Sequence, residues 1–109
     1  MALRDNLELM LQRGQDSPLL RFSLGNECLK AGDHLAAIDH LRKAVEQKPD
    51  YSAAWKLLGQ AYADSGAVAR AIEVYGQGIE SAVAQGDVQA AKEMSVFLRR
   101  LKRSRQPGA

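Results

Sequence analysis

The stretch Trp55-Lys56-Leu57-Leu58-Gly59-Gln60-Ala61-Tyr62-Ala63-Asp64-Ser65-Gly66-Ala67-Val68-Ala69-Arg70-Ala71-Ile72-Glu73-Val74-Tyr75 decides the fold. Leu58 and Tyr62 before Gly66, then Val68, Ile72, Tyr75 and Ile79 after it, recur at spacings of three and four. That is the stripe of two amphipathic helices around a turn. An offset of 34 residues sets Leu58 on Leu24, Gly59 on Gly25, Gly66 on Gly32, Ala71 on Ala37 and Ile72 on Ile38. It also sets Tyr62 on Cys28, Tyr75 on Leu41 and Ile79 on Val45. A fixed period of this kind marks stacked copies of one supersecondary unit. Gly25 and Gly59 fall inside helices, where glycine costs about 1 kcal/mol relative to alanine. The cost is offset when a neighbouring helix comes close, and the small Ala37 and Ala71 are the expected opposing surface.

Punctuation divides the rest of the chain. Ser17-Pro18 is a cap followed by a proline suited to a first helical turn. Gly32-Asp33 and Gly86-Asp87 each offer a glycine to end one helix and an aspartate to cap the next. Pro49-Asp50 stops a helix and supplies another cap, while Ala67 after Gly66 supplies none. Apolar residues Leu35, Ile38, Leu41 and Val45 form a further stripe. The reading predicts six helices, near 3–13, 18–31, 34–47, 51–65, 68–85 and 87–103. Their short connections force antiparallel neighbours. The expected fold is all-α, a short right-handed α-solenoid of antiparallel helix hairpins.

This pattern resembles the tetratricopeptide repeat (TPR) family, built from helix–turn–helix units of 34 residues. The second unit, 51–84, carries the resemblance through Trp55, Leu58, Gly59, Tyr62, Gly66, Ala71 and Tyr75. The first, 17–50, carries it through Leu24, Gly25, Gly32, Ala37, Leu41, Ala44 and Pro49. Arg21 stands where the family prefers tryptophan and Cys28 where it prefers tyrosine. Gly78 replaces the usual alanine and Val83 the terminal proline, so the fifth helix is expected to run on to Gly86. Residues 1–16 fit the same offset as the second helix of an incomplete preceding repeat, with Leu3, Leu7, Met10 and Leu11 on Ala37, Leu41, Ala44 and Val45. Residues 85–103 do not fit it. Ala90, Met94, Phe97 and Leu101 instead form one stripe, as in a capping helix that covers the end of an array. Residues 104–109 are expected to be a disordered tail, and the whole chain to be one domain.

Composition narrows the function. The 109 residues carry 15 Lys+Arg against 13 Asp+Glu. Arg99, Arg100, Lys102, Arg103 and Arg105 form a cationic run without an acid, leaving residues 1–98 slightly acidic. An acidic body argues against a nucleic-acid-binding face on the fold itself. No window is apolar enough for a membrane span, and an acid at Asp5 interrupts any secretory leader. One cysteine, Cys28, excludes an internal disulfide or a cysteine-based zinc cage, so a cytoplasmic setting is expected. His34 and His40 lie six apart, on different helix faces, and read as surface histidines. Cys28 reads as a small core residue, and Trp55, Tyr62 and Tyr75 as core packing. No catalytic residue, metal site or cofactor is expected, and the protein is read as non-enzymatic.

The resemblance implies a concave groove, lined by the first helix of each unit, that binds a partner peptide or helix. Carried onto this chain, the groove positions are Leu19, Phe22, Asn26 and Lys30, then Ala53, Lys56, Gln60 and Asp64. Phe22 and Lys56 are expected to face outward, free of any role in folding. Asn26 and Lys56 also match residues with which some members grip a terminal carboxylate, although Gln60 replaces the helpful arginine. The expected function is a protein-interaction module, an adaptor, assembly or co-chaperone-like scaffold. The alternative is an RNA- or anionic-membrane-associated protein anchored by the basic segment 99–105.

Overall fold

A computed structural model describes residues 2–105. The helices are α1 (Leu3–Gln12), α2 (Pro18–Lys30), α3 (His34–Gln47), α4 (Ser52–Asp64), α5 (Val68–Ala84) and α6 (Val88–Arg105). Each turn between paired helices ends on a left-handed glycine, such as Gly32 at φ 76° and Gly66 at φ 89°, a conformation other residues adopt at a cost. Ser17 Oγ accepts from the Leu20 amide, Asp33 from Ala36 and Asp87 from Ala90, so three helix starts carry the caps their sequence foretells. The fourth expected cap is absent. Tyr51 begins α4 without a side-chain bond, and Asp50 instead gives its carbonyl to Gln85 Nε2 at 2.7 Å. Trp55 Nε1 and Ser81 Oγ both donate to the Pro49 carbonyl, so this inter-unit loop is held from α4 and α5 rather than capped.

Two further expectations change. The helix α6 reaches Arg105, so Ser104 and Arg105 belong to it and not to a tail; residues 106–109 lie outside the described residues. Leu35 is 80% exposed. It precedes Leu41 by six positions, a rotation of about 240°, which turns it away from the stripe.

Packing follows the pairing rule. Consecutive helices touch from α1 through α6; α2 also touches α4, and α4 touches α6. The helices α3 and α5 make no such contact with each other. The first helices of the units therefore lie closer together than the second helices, and the stack curves toward the α2–α4–α6 side. Leu24, Leu41, Cys28 and Met94 are the largest fully buried side chains. Burial pushes the Cys28 thiol up, which keeps it protonated and inert.

The mid-helix glycines have a different partner from the alanines expected. A Cβ at Gly25 would lie 2.5 Å from Leu41 Cγ, and one at Gly59 would lie 2.6 Å from Tyr75 Cδ1. The large residue one turn beyond Ala37 or Ala71 fills the space. Gly78 does the same for α6, with Met94 Sδ 2.6 Å from its missing Cβ and Trp55 Cβ at 2.8 Å. Gly76 faces open space, so Gly76→Ala is expected to raise stability by about 0.5–1 kcal/mol in a denaturant titration.

Arg21, in the place of an aromatic, builds a polar substitute. Its guanidinium donates to both Asp16 carboxylate oxygens, at 2.9 and 3.0 Å, and to His40 Nδ1 at 3.1 Å. Gln47 Nε2 donates to the same Asp16 at 3.0 Å, tying the N-terminal connection to α3. His40 is thus half-buried, held below its usual value by burial and Arg21, and not the surface histidine expected. The bonds from Arg21 and Gln47 hold Asp16 at about 2, below its ordinary 3.8. Arg4 lowers Asp33, and Lys56 lowers Glu93. Each carboxylate contributes stability above its unfolded value and loses it as pH falls through the folded value. Thermal midpoints should therefore fall between about pH 4 and pH 2, and Asp16→Asn should flatten that slope.

Candidate functional site

Because α4 touches both α2 and α6, residues pointing to the inner side from these helices share one face. The eight candidates differ in what they are free to do. Leu19, Lys30, Ala53, Gln60 and Asp64 are exposed, and Leu19 is 65% so despite being apolar. Leu19 borders an open cleft with Ser17, Pro18, Lys48 and Tyr51.

Phe22 and Lys56 are tied into the fold. Phe22 is half-buried against the main core cluster, its ring 5.1 Å from that of Tyr51. The expectation that it stands free is corrected: Tyr51, at the start of α4, closes over it. Lys56 donates to Glu93 Oε2 of α6 at 2.8 Å, with both side chains about one-third exposed. Its charge is already matched within the chain, which weakens its suitability as a carboxylate clamp. Lys30 donates to Glu27 on its own helix, an exposed pair of little energetic weight. Asn26 is half-buried.

At the other end of the face, Gln60, Ala63 and Asp64 of α4, Tyr75 of α5, and Phe97, Arg100 and Leu101 of α6 line one cleft of about 390 Å³. Two candidates and one residue of the basic run thus meet around an apolar floor. Phe97 lies 5.8 Å from Tyr75, ring to ring, and burial pushes the Tyr75 hydroxyl up to about 12, so it is neutral. Asp64 and Arg100 border this floor with opposite charge. Such a site matches a short amphipathic segment better than a small charged metabolite.

The tetratricopeptide repeat family model matches residues 29–94, more than half of the chain. This chain belongs to the tetratricopeptide repeat family. It is 52% identical over 101 residues to a TPR repeat-containing protein of Pseudomonas aeruginosa, covering 93% of this chain and 96% of that one. A solution structure of a Bordetella parapertussis protein shares 42% identity with a TM-score of 0.84, covering 95% of this chain and 90% of that one. A TPR domain protein from Salinibacter ruber, also solved in solution, shares 26% identity with a TM-score of 0.76, covering 86% and 94% respectively.

The TPR frame accounts for the pieces that sequence reading missed. Phe97 and Arg100 complete the α4/α5 cleft because α6 stands where the first helix of another TPR unit would stand. No offset could show this, since α6 keeps the place of such a helix without its motif. Glu93 gave a signal of a kind: it replaces Gly59 of the second unit, and an acid at a packing position has to find a cation. Among the described residues, no helix is long and apolar enough to cross a membrane.

Proposed function

We propose that this TPR protein is a non-enzymatic adaptor that binds a partner peptide or amphipathic helix along the α2–α4–α6 face. The cleft between Gln60, Asp64, Tyr75, Phe97 and Arg100 carries this reading, because it offers an apolar floor flanked by one acid and one base. A segment laid there buries apolar side chains on Phe97 and Leu101 and fixes its register on Asp64 and Arg100.

Affinity capture with Gln60→Arg/Asp64→Lys tests it, since both positions are exposed and neither holds the fold. The variant is expected to keep its helical circular dichroism and lose the captured partner. Removing central anchors of this type costs about 2 kcal/mol or more each, enough to lose a micromolar complex. Neutralising Arg99, Lys102, Arg103 and Arg105 should leave capture intact. The reverse pattern, with capture falling steeply in salt, would point to an anionic surface contacted through α6 and would sink the groove reading.

A further inference from the structure

The two ends of the stack expose complementary halves of one hairpin. Val45, Leu58 and Tyr62 line the groove where α3, α4 and α5 meet. One repeat further on, the same positions are Ile79, Lys92 and Val96. All three line the cleft between α5 and α6, floored by Ala91 and Ser95 and walled by Val83 and Val88. In the first groove α5 supplies a wall; in the second, no described helix does. Val83 is 65% exposed, Val88 61% and Val96 37%. Small residues between exposed valines are what a closely packed helix needs.

The opposite end has a helix of the matching kind. Leu3, Leu7, Met10 and Leu11 of α1 occupy the register of Ala37, Leu41, Ala44 and Val45 in α3. Those four are buried, whereas α1 buries no residue and leaves Leu3 56% and Met10 40% exposed. It touches α2 alone. Among the described residues, α1 is by register a second helix without its first, and α6 a first helix without its second.

We propose that copies of this chain join head to tail, α1 of one lying in the α5/α6 cleft of the next. Charge selects this occupant. Pairing is antiparallel, so the C-terminal end of α6 meets the N-terminal end of the seated α1. The helix α6 has 18 residues against 13 in α2 and in α4, and its extra length carries exposed cations past the seated helix. The surface reached there on the next copy holds Asp5, Glu8, Glu27 and Asp33, with Arg4 shared between Glu8 and Asp33, and Lys30 on Glu27. Four carboxylates against two cations face the basic run. A contact between unlike faces leaves a free face at each end, so it extends beyond two copies.

Sedimentation velocity on the full chain tests this with one blocked face at a time. Wild type is expected to sediment faster as concentration rises, and more weakly so in high salt. Met10→Glu blocks the α1 face and Val96→Glu the cleft; both positions are exposed, and circular dichroism checks that each variant is folded. Each alone should be monomeric, and an equimolar mixture should form one-to-one dimers and nothing larger, because only one intact pair of faces remains. Leu3→Glu and Val88→Glu repeat the experiment at independent positions should either first variant lose helicity. Wild type that sediments as a monomer at every concentration overturns the proposal. So does a Met10→Glu protein that still dimerises, which would mean two α6 faces meeting symmetrically.

Discussion

Gly59→Leu is expected to lower the thermal midpoint by about 15 °C or more. A single added Cβ already falls 2.6 Å from Tyr75 Cδ1, and leucine adds three more carbons in the same direction. Tyr75 is held in place: it is 3% exposed, and Phe97 packs on its ring. Relief requires moving α4 away from α5, which breaks the contact on which the second unit depends. Overpacking of a dense core costs about 3 kcal/mol at such a site, which for a domain of this size is about 4–8 °C per kcal/mol. Even Gly59→Ala should destabilise, although alanine favours helix by about 1 kcal/mol. Gly76 on α5, where an added Cβ meets open space, is the control, and the same change there should stabilise. A midpoint unmoved by Gly59→Leu would mean that α4 and α5 do not meet there.

That contrast shows what kind of information the sequence carried. The offset of Gly25 and Gly59 located the close approaches, because a repeated cost in helix propensity needs a repeated structural return. It did not identify what fills them. The missing Cβ points at the residue one turn further along the partner helix, so Leu41 and Tyr75 take the space instead of Ala37 and Ala71. Helix ends were legible for the same local reason: Ser17, Asp33 and Asp87 each act on an amide three residues ahead. Asp50 failed as a cap because the loop around it is claimed from a distance by Trp55, Ser81 and Gln85.

The candidate face was legible by position and less so by state. The register proposed Leu19, Ala53, Gln60 and Asp64, and all four are exposed. It could not show Tyr51 over Phe22 or Glu93 against Lys56, since Tyr51 is not one of the motif residues and Glu93 lies beyond the second unit. Arg21 is the clearest case. A missing tryptophan reads as a defect in a motif, whereas in three dimensions the guanidinium joins Asp16 and His40 across the α2/α3 boundary. Long-range polar pairs have no period, so no periodic analysis finds them.

Truncation at Gly86 is expected to have the larger effect of the two. The helix α6 supplies Met94, fully buried, and Phe97, Leu98 and Leu101 to the cluster around Ala71, Tyr75 and Ala82. Met94 Sδ sits in the notch left by Gly78, so its loss opens α5 along the face that also touches Trp55. Emptying the Met94 site alone costs about 2–5 kcal/mol, and losing Phe97 adds a comparable amount. Together they approach the whole stability of a small domain, about 5–15 kcal/mol. The fragment 1–86 should therefore show reduced helicity, bind a hydrophobic dye, and elute as aggregates from a sizing column. Met94→Ala in the full chain gives the graded version, with a loss of about 3 kcal/mol and no dye binding. Neutralising the cations of α6 should leave the stability within about 0.5 kcal/mol of wild type, because those side chains are exposed. A monodisperse, fully helical 1–86 fragment would show instead that α2 to α5 complete a core without α6. The notch at Gly78 would then be a surface groove, and the Tyr75–Phe97 stack would contribute nothing to holding the second unit.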